Sequence, residues 1–366
     1  MKKTTIGFII LLFSLALVVG YANASLRCAD CHTMHNSQNG VRVATDDSGA
    51  LIDTPHGELL ISTCIGCHRD TTQSDGSAPV PIIYSSTAPT ALFTNTYAGG
   101  NFKWADTADG TYYPYGHNVK GLSVADNAAM YPPPGYGGNI GTWTATEQLT
   151  CAGTYGCHGD RTNDSSDTGT TTDDYEAMRG AHHADDTTIN GASVGTSFRF
   201  LLGVVGTEMN TDLHKWAYNM DNVNHNEYKG LITPATNVSD DSPGTGGSIS
   251  GLCAECHGEF HSQPNRETAT NTASPWLRHP TDILLNTGDE VTDYNDPTDT
   301  YNIKAPVARV TLSAPSSTVT ESSDVVMCLS CHVAHASPNK DLLRFVYDDT
   351  MTITGGSCLT CHTGKL

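Results

Sequence analysis

The chain has 366 residues, a formal charge of −20 and only 38% hydrophobic residues. So acidic a surface repels phosphate backbones, which excludes nucleic acid as a natural partner. A chain of this length ought to bury a large side-chain core. Long apolar periodic stretches are nevertheless scarce, so something other than side chains is expected to fill the interior.

In chain order, Lys2 and Lys3 are followed by an apolar run from Ile6 to Val19 and then by Ala22-Asn23-Ala24. That pattern predicts a signal peptide over residues 1–24, and the apolar run is too short for a comfortable membrane span. Residues 25–366 are then one exported unit with no integral membrane segment after cleavage. Its expected place is extracellular or on the outer cell surface, with the periplasm as the alternative.

The twelve cysteines fall into six pairs with none left over. Five have the spacing Cys-x-x-Cys-His: Cys28-Cys31-His32, Cys64-Cys67-His68, Cys253-Cys256-His257, Cys328-Cys331-His332 and Cys358-Cys361-His362. A sixth is stretched, Cys151-Ala-Gly-Thr-Tyr-Gly-Cys157-His158. Two thiols can add across the two vinyl groups of one haem while the next imidazole reaches the iron from the same side. A disulfide needs no histidine, and zinc sites rarely place one directly after every second cysteine. The pattern therefore predicts six covalent c-type haems. At the stretched motif the extra residues must loop out, and a Cys151–Cys157 disulfide is the competing reading.

Six of the sixteen histidines are thus proximal iron ligands. The others are His35, His56, His117, His182, His183, His214, His225, His261, His279 and His335, enough to give every iron a second imidazole. Bis-His iron favours low potentials and leaves no open coordination position, which suits electron transfer better than substrate activation. His35, His261 and His335 follow their own motifs within a helical turn, so each is expected to reach a neighbouring haem. His117, among aromatics in Tyr-Tyr-Pro-Tyr-Gly-His-Asn, and His279, after Trp276-Leu277-Arg278, read as walls of haem pockets. His182 and His183 are expected to supply one ligand between them. His56, His214 and His225 are weaker candidates, alternatively exposed to solvent or touching a haem propionate.

The proximal histidines show no fixed repeat. Thr-, Ser- and Asp-rich residues at Asn163–Asp174 and Gly- and Ser-rich residues at Thr236–Ser250 read as surface loops. Val307–Leu312 alternates apolar and polar residues and is a weak strand candidate. The expected fold is mostly irregular coil with short α-helices and few strands, an elongated single unit wrapped around a chain of six haems. With one motif near each end of the sequence, redox groups would sit at the joints of a head-to-tail polymer.

Several segments are familiar: Cys-Ala-Asp-Cys-His-Thr-Met-His-Asn-Ser (28–37), Gly-His-Asn (116–118), Cys-Ala-Glu-Cys-His (253–257), Leu-Arg-His-Pro (277–280) and Cys-Leu-Ser-Cys-His-Val-Ala-His-Ala-Ser (328–337). They resemble the extracellular hexahaem cytochromes of metal-reducing bacteria that polymerise into nanowires. The resemblance keeps the number and order of the motifs and is strong at them, weak between them. It implies a mostly coil fold around a continuous haem stack and identical subunits joined head-to-tail. It also implies that His35 ligates a haem of the neighbouring subunit, the one on Cys328-Cys331-His332. Electrons would leave along the filament to minerals, electrodes, partner cells or other multihaem cytochromes. The stretched third motif and His182, His183, His214 and His225 depart from that pattern. A monomeric electron shuttle is the second reading. A multihaem reductase is the third, and the Cys-x-x-Cys-Lys motif of one such class is missing.

Overall fold

The computed structural model describes residues 28–46, 50–69, 81–92, 96–106, 115–122, 132–136, 149–160, 175–178, 190–206, 221–232, 247–261, 279–285, 294, 299–347 and 358–362. The signal peptide, His182, His183, His214 and the loop at Asn163–Asp174 lie outside them. Among the described residues no helix is long and apolar enough to cross a membrane.

Most of the described chain is coil, with few and short regular elements. Helices α1 (Cys28–Cys31) and α2 (Cys64–Cys67) are single motif turns, capped at the second by Thr63, whose hydroxyl accepts from Gly66 N at 3.1 Å. Strands β1 (Val204–Gly206) and β2 (Asn226–Tyr228) pair antiparallel, with Val204 opposite Tyr228. Helix α3 (Ile249–Cys256) carries the fourth motif at its end, followed by α4 (Gly258–His261). Its N-cap is Ser248, whose hydroxyl accepts from Gly251 N at 2.9 Å, so the stretch expected as a loop to Ser250 gives way to helix at Ile249. An unpaired N–H at a helix start is what a serine satisfies best.

Strands β3 (Ile283–Leu284), β4 (Ala308–Arg309) and β5 (Asp324–Val326) form a second sheet in the order β3-β5-β4, both pairings antiparallel. Only Ala308–Arg309 of the expected strand at Val307–Leu312 is extended in the ladder, and both residues are buried. Alternate residues of a strand point to opposite faces, and β5 uses both. Val325 packs with Phe198, Val204, Tyr228, Ile249, Ala308, Met327 and Leu329, while Val326 packs with Leu285, Tyr294, Tyr301, Val307 and Val319. Helix α5 (Cys358–Cys361) carries the sixth motif, and Cys361 packs against the second of these clusters.

The sheets are pinned by a buried ion cluster. Arg309 Nε donates to Glu227 Oε2 at 2.8 Å, and its other end bonds Asp324. His225 Nε2 lies 3.3 Å from Glu227 Oε1, and its ring stacks on Tyr301 with centroids 3.5 Å apart. His225 is fully buried, which corrects the solvent-exposed alternative set out from sequence. It belongs to the core.

Candidate electron-transfer site

Each motif is a single turn that brings the histidine back under the first cysteine. The N–H groups of His68, His257, His332 and His362 donate to the carbonyls of Cys64, Cys253, Cys328 and Cys358 at 2.9, 2.9, 3.1 and 2.8 Å. That i to i−4 bond sets thiols and imidazole on one side of the turn.

The stretched motif closes the same bond. His158 N donates to Cys151 O at 3.0 Å, as does Cys157 N at 3.1 Å. The extra residues do not loop out as expected: of the five between the cysteines, all but Thr154 are buried. Gly156 N bonds Gly153 O, Thr150 N bonds Tyr155 O, and the Tyr155 ring is buried as an anchor. A side chain at Gly156 would put its Cβ 2.3 Å from the Ala152 carbonyl oxygen, so only glycine permits the tight return. No disulfide joins Cys151 to Cys157. Burial pushes the thiols of Cys67 and Cys361 up to about 12 and that of Cys331 to about 11, so they are held neutral.

Three pairs of imidazoles face one another. The ring centroids are 6.1 Å apart for His117 and His257, 6.2 Å for His158 and His335, and 6.0 Å for His279 and His362. A metal held midway, about 2 Å from each coordinating nitrogen, places ring centres about 6 Å apart. In four of these rings the Nδ1 side is taken by a backbone carbonyl. His117 bonds Ala334 O at 2.7 Å, His257 Pro134 O at 2.7 Å, His158 Arg199 O at 2.9 Å and His279 Pro280 O at 2.9 Å. A carbonyl on Nδ1 fixes the tautomer and leaves Nε2 as the coordinating atom. His68 and His332 are held the same way by Pro81 O at 2.9 Å and Asp341 O at 2.6 Å. Burial keeps His117 and His335 neutral, as a metal requires: it pulls His117 down to about 4, and His335, with His158 and His117 near it, to about 3. Two imidazoles plus two thiols per turn is the donor set of a c-type haem. Among the described residues no group of three or more His, Cys, Asp or Glu forms a metal cage of the zinc type.

Residues 333–337 position two of these rings. Ala336 bridges to Gly100 on one side and to Gly116 on the other, and His117 N bonds His335 O at 2.9 Å. The His335 ring stacks on Phe102, and a Cβ at Gly99 would lie 2.6 Å from its Nδ1. The segment after the fifth motif thus carries its histidine to the third motif.

The motifs also follow one another in space in chain order. Cys31 presses on the Cys67 thiol and His158 on His68. Cys157 and Cys328 both act on Cys253, and Cys331 and Cys358 act on each other's turn. Each motif therefore has the next as its neighbour.

Other histidines stand apart. His56 Nε2 is bonded to Thr45 O at 2.8 Å. The Nε2 of His261 lies 3.0 Å from the buried carboxylate of Asp282, which also accepts from Ser248 Oγ at 2.5 Å. The nitrogen through which the paired rings face each other is there taken by an acid, a contact that no sequence pattern around His261 signals. His35 is exposed, and among the described residues no second imidazole faces His332. Sequence reasoning also missed the carbonyl acceptors Pro81, Pro134, Arg199 and Ala334, because a backbone oxygen has no sequence signature.

No protein-family model and no curated protein matches the chain. Among solved structures, it is similar to the Outer Membrane Cytochrome S filament from Geobacter sulfurreducens, at 21% identity and a TM-score of 0.43, over 89% of this chain and 85% of that one. It is also similar to the OmcS nanowires from Geobacter sulfurreducens, at 20% identity and a TM-score of 0.43, over 87% and 83%.

Proposed function

We propose that the chain is an exported electron-transfer protein that carries six bis-His c-type haems and polymerises into an extracellular filament. One observation carries the reading: three imidazole pairs, each joining a motif histidine to one outside that motif, stand about 6 Å apart with Nδ1 of four rings tied to carbonyls. Each haem, when bound, supplies a one-electron site whose iron is closed to substrates by two imidazoles. The chain's own part is attachment, orientation and insulation. Cysteine pairs fasten the groups, carbonyls aim the rings, and consecutive motifs succeed one another in space so that electrons need only short steps. The reading assigns no catalytic residue.

The axial pairs are His158 with His335, His257 with His117, and His362 with His279. His32 and His68 draw their second ligands from the remaining histidines, and the sequence offers one of these two ligands from His182 or His183. His261 is left out of the set because Asp282 holds its Nε2. His332 takes His35 of a second copy, in keeping with an exposed His35 and with the resemblance of the 28–37 and 328–337 segments. Exposed Met34, Val41, Leu51 and Leu59 surround that histidine in the sequence and suit a buried joint.

Pyridine haemochrome assay of the purified protein is expected to give six haems per chain, with entirely low-spin ferric spectra. Five haems would remove the stretched motif from the reading. His335→Ala should turn one of the six high-spin. His35→Ala should abolish filaments seen by electron microscopy; filaments formed normally by that variant would leave a monomeric shuttle as the better account.

A further inference from the structure

The fourth and fifth motifs touch through their first cysteines. The Cys253 thiol donates a hydrogen bond to the Cys328 sulfur, from a motif distant in sequence. Ser250, on the same helix as Cys253, joins the contact: its Oγ accepts from Cys328 N at 3.2 Å and its hydroxyl also bonds the Cys328 sulfur. The pair is braced from below. Asp282 N donates to Val326 O at 2.7 Å, and the Asp282 carboxylate accepts from Ser248 Oγ at 2.5 Å. One residue thus ties the start of α3 to β5, just ahead of Cys328. Ile249, Val325, Met327 and Leu329 share one buried apolar cluster beside it. These contacts run between protein atoms, so they are available to the chain before any haem is attached. Cys157 and Cys256 act on Cys253 less strongly than Cys328 does. Cys253 and Cys328 are each only half-buried, within reach of a small reagent.

We infer that Cys253 and Cys328 form a disulfide with each other when the chain is oxidised before haem attachment, so that one bond closes two motifs. The bond itself needs no haem; what it blocks rests on the proposed function. A disulfide requires two sulfurs to approach on short side chains, and the hydrogen bond already brings these together. The oxidant is another disulfide, either of a small thiol or of an oxidoreductase in an oxidising export compartment. The Cys328 sulfur, freed of its proton, attacks one sulfur of the incoming disulfide and expels the other as a thiolate. The Cys253 sulfur, losing its own proton, then attacks Cys328 in that mixed disulfide and expels the second thiolate. The expelled thiolates take up the two protons, so two cysteines are oxidised and one disulfide is reduced. Each c-type haem needs both cysteines of its motif. The Cys253–Cys328 bond therefore withholds the fourth and fifth haems together and breaks the electron path in mid-chain, until a dithiol reverses the exchange.

The test uses the full chain exported without haem attachment and treated with glutathione disulfide. Remaining thiols are capped with iodoacetamide, and peptides are mapped by mass spectrometry without reduction. The expected result is loss of capping at Cys253 and Cys328, a cross-link between their peptides, and recovery of both thiols in dithiothreitol. Cys253→Ser and Cys328→Ser should each abolish the cross-link, whereas Cys256→Ser and Cys331→Ser should keep it. Pairing of Cys253 with Cys256 or Cys157, or a capped Cys253 in the unsubstituted chain, overturns the inference and leaves the proposed function standing. A cross-link that persists in Cys253→Ser also overturns it, because another thiol then makes the bond. A mature protein that carries no haem, while the cross-link forms as expected, removes the proposed function and leaves the disulfide standing.

Discussion

Residues 299–347 hold one Cys-x-x-Cys-His motif and residues 28–69 hold two, and the two regions are built by different physics. In the first, Tyr301, Val307, Ala308, Val319, Val325, Met327, Leu329 and Val333 are all buried around a three-stranded sheet. Burying each large side chain contributes roughly 1.5–3 kcal/mol. In the second, Met34 is 80% exposed and Val41 60%, and order comes from isolated backbone bridges at His32–Leu60, Gln38–Val41 and Thr45–Leu51. Asn36 substitutes for a core there, bonding Ala44 N at 2.8 Å and Ile52 O at 2.7 Å. The comparison teaches where a cofactor is dispensable to folding. The strand-bearing region has its own apolar interior; among the described residues, the region around the first two motifs gives only Ile65 to such a cluster, and its partners Tyr84, Phe102 and Val119 come from outside the region.

The largest expected effect follows directly. Protein made without haem attachment should keep residues 299–347 resistant to limited proteolysis while residues 28–69 are cut rapidly. Equal protection of both would break the contrast, since a segment with few buried apolar contacts opens at little cost.

Next in size is the buried ion cluster. Arg309→Met leaves Glu227 and Asp324 buried without their cation, and should destabilise the strand-bearing region by about 3–5 kcal/mol in denaturant titration. A loss under about 1 kcal/mol would show that the sheets do not need the cluster.

The same cluster sets an acid limit. Burial raises the Glu227 pKa, but hydrogen bonds from His225 and Arg309 and the charge of Arg309 outweigh it and hold the carboxyl below 4.5. A carboxylate depressed in the folded chain contributes stability above its unfolded pKa and loses it as pH falls through the lower folded value. Asp324 is shifted the opposite way by burial and cancels part of the effect. Denaturant midpoints should therefore fall below pH 4.5, and fall less in Glu227→Gln. The smallest change is Ser248→Ala, which removes the α3 cap and should cost about 1 kcal/mol in the same titration without altering the haem count.

Legibility from sequence tracked the range of the interaction involved. Cys64, Cys67 and His68 are read directly because they act within one turn, and even Cys151 and Cys157 could be paired by elimination. Its spacing sets His335 apart from its own motif, but nothing near it in sequence names His158 as the ring it meets. His261 reads from sequence as a ligand of a neighbouring haem and His225 as a weaker candidate, and only the carboxylates of Asp282 and Glu227, the first distant in sequence, separate both from the paired rings.

By itself the sequence determined how many attachment turns there are, where they lie and which histidine belongs to each, because that chemistry is local. The tertiary structure decided which rings face each other and that consecutive motifs are spatial neighbours. The reason is physical: the bonds that aim the second imidazoles are long-range backbone contacts, such as His117 to Ala334 across 217 residues, and backbone atoms are identical at every position.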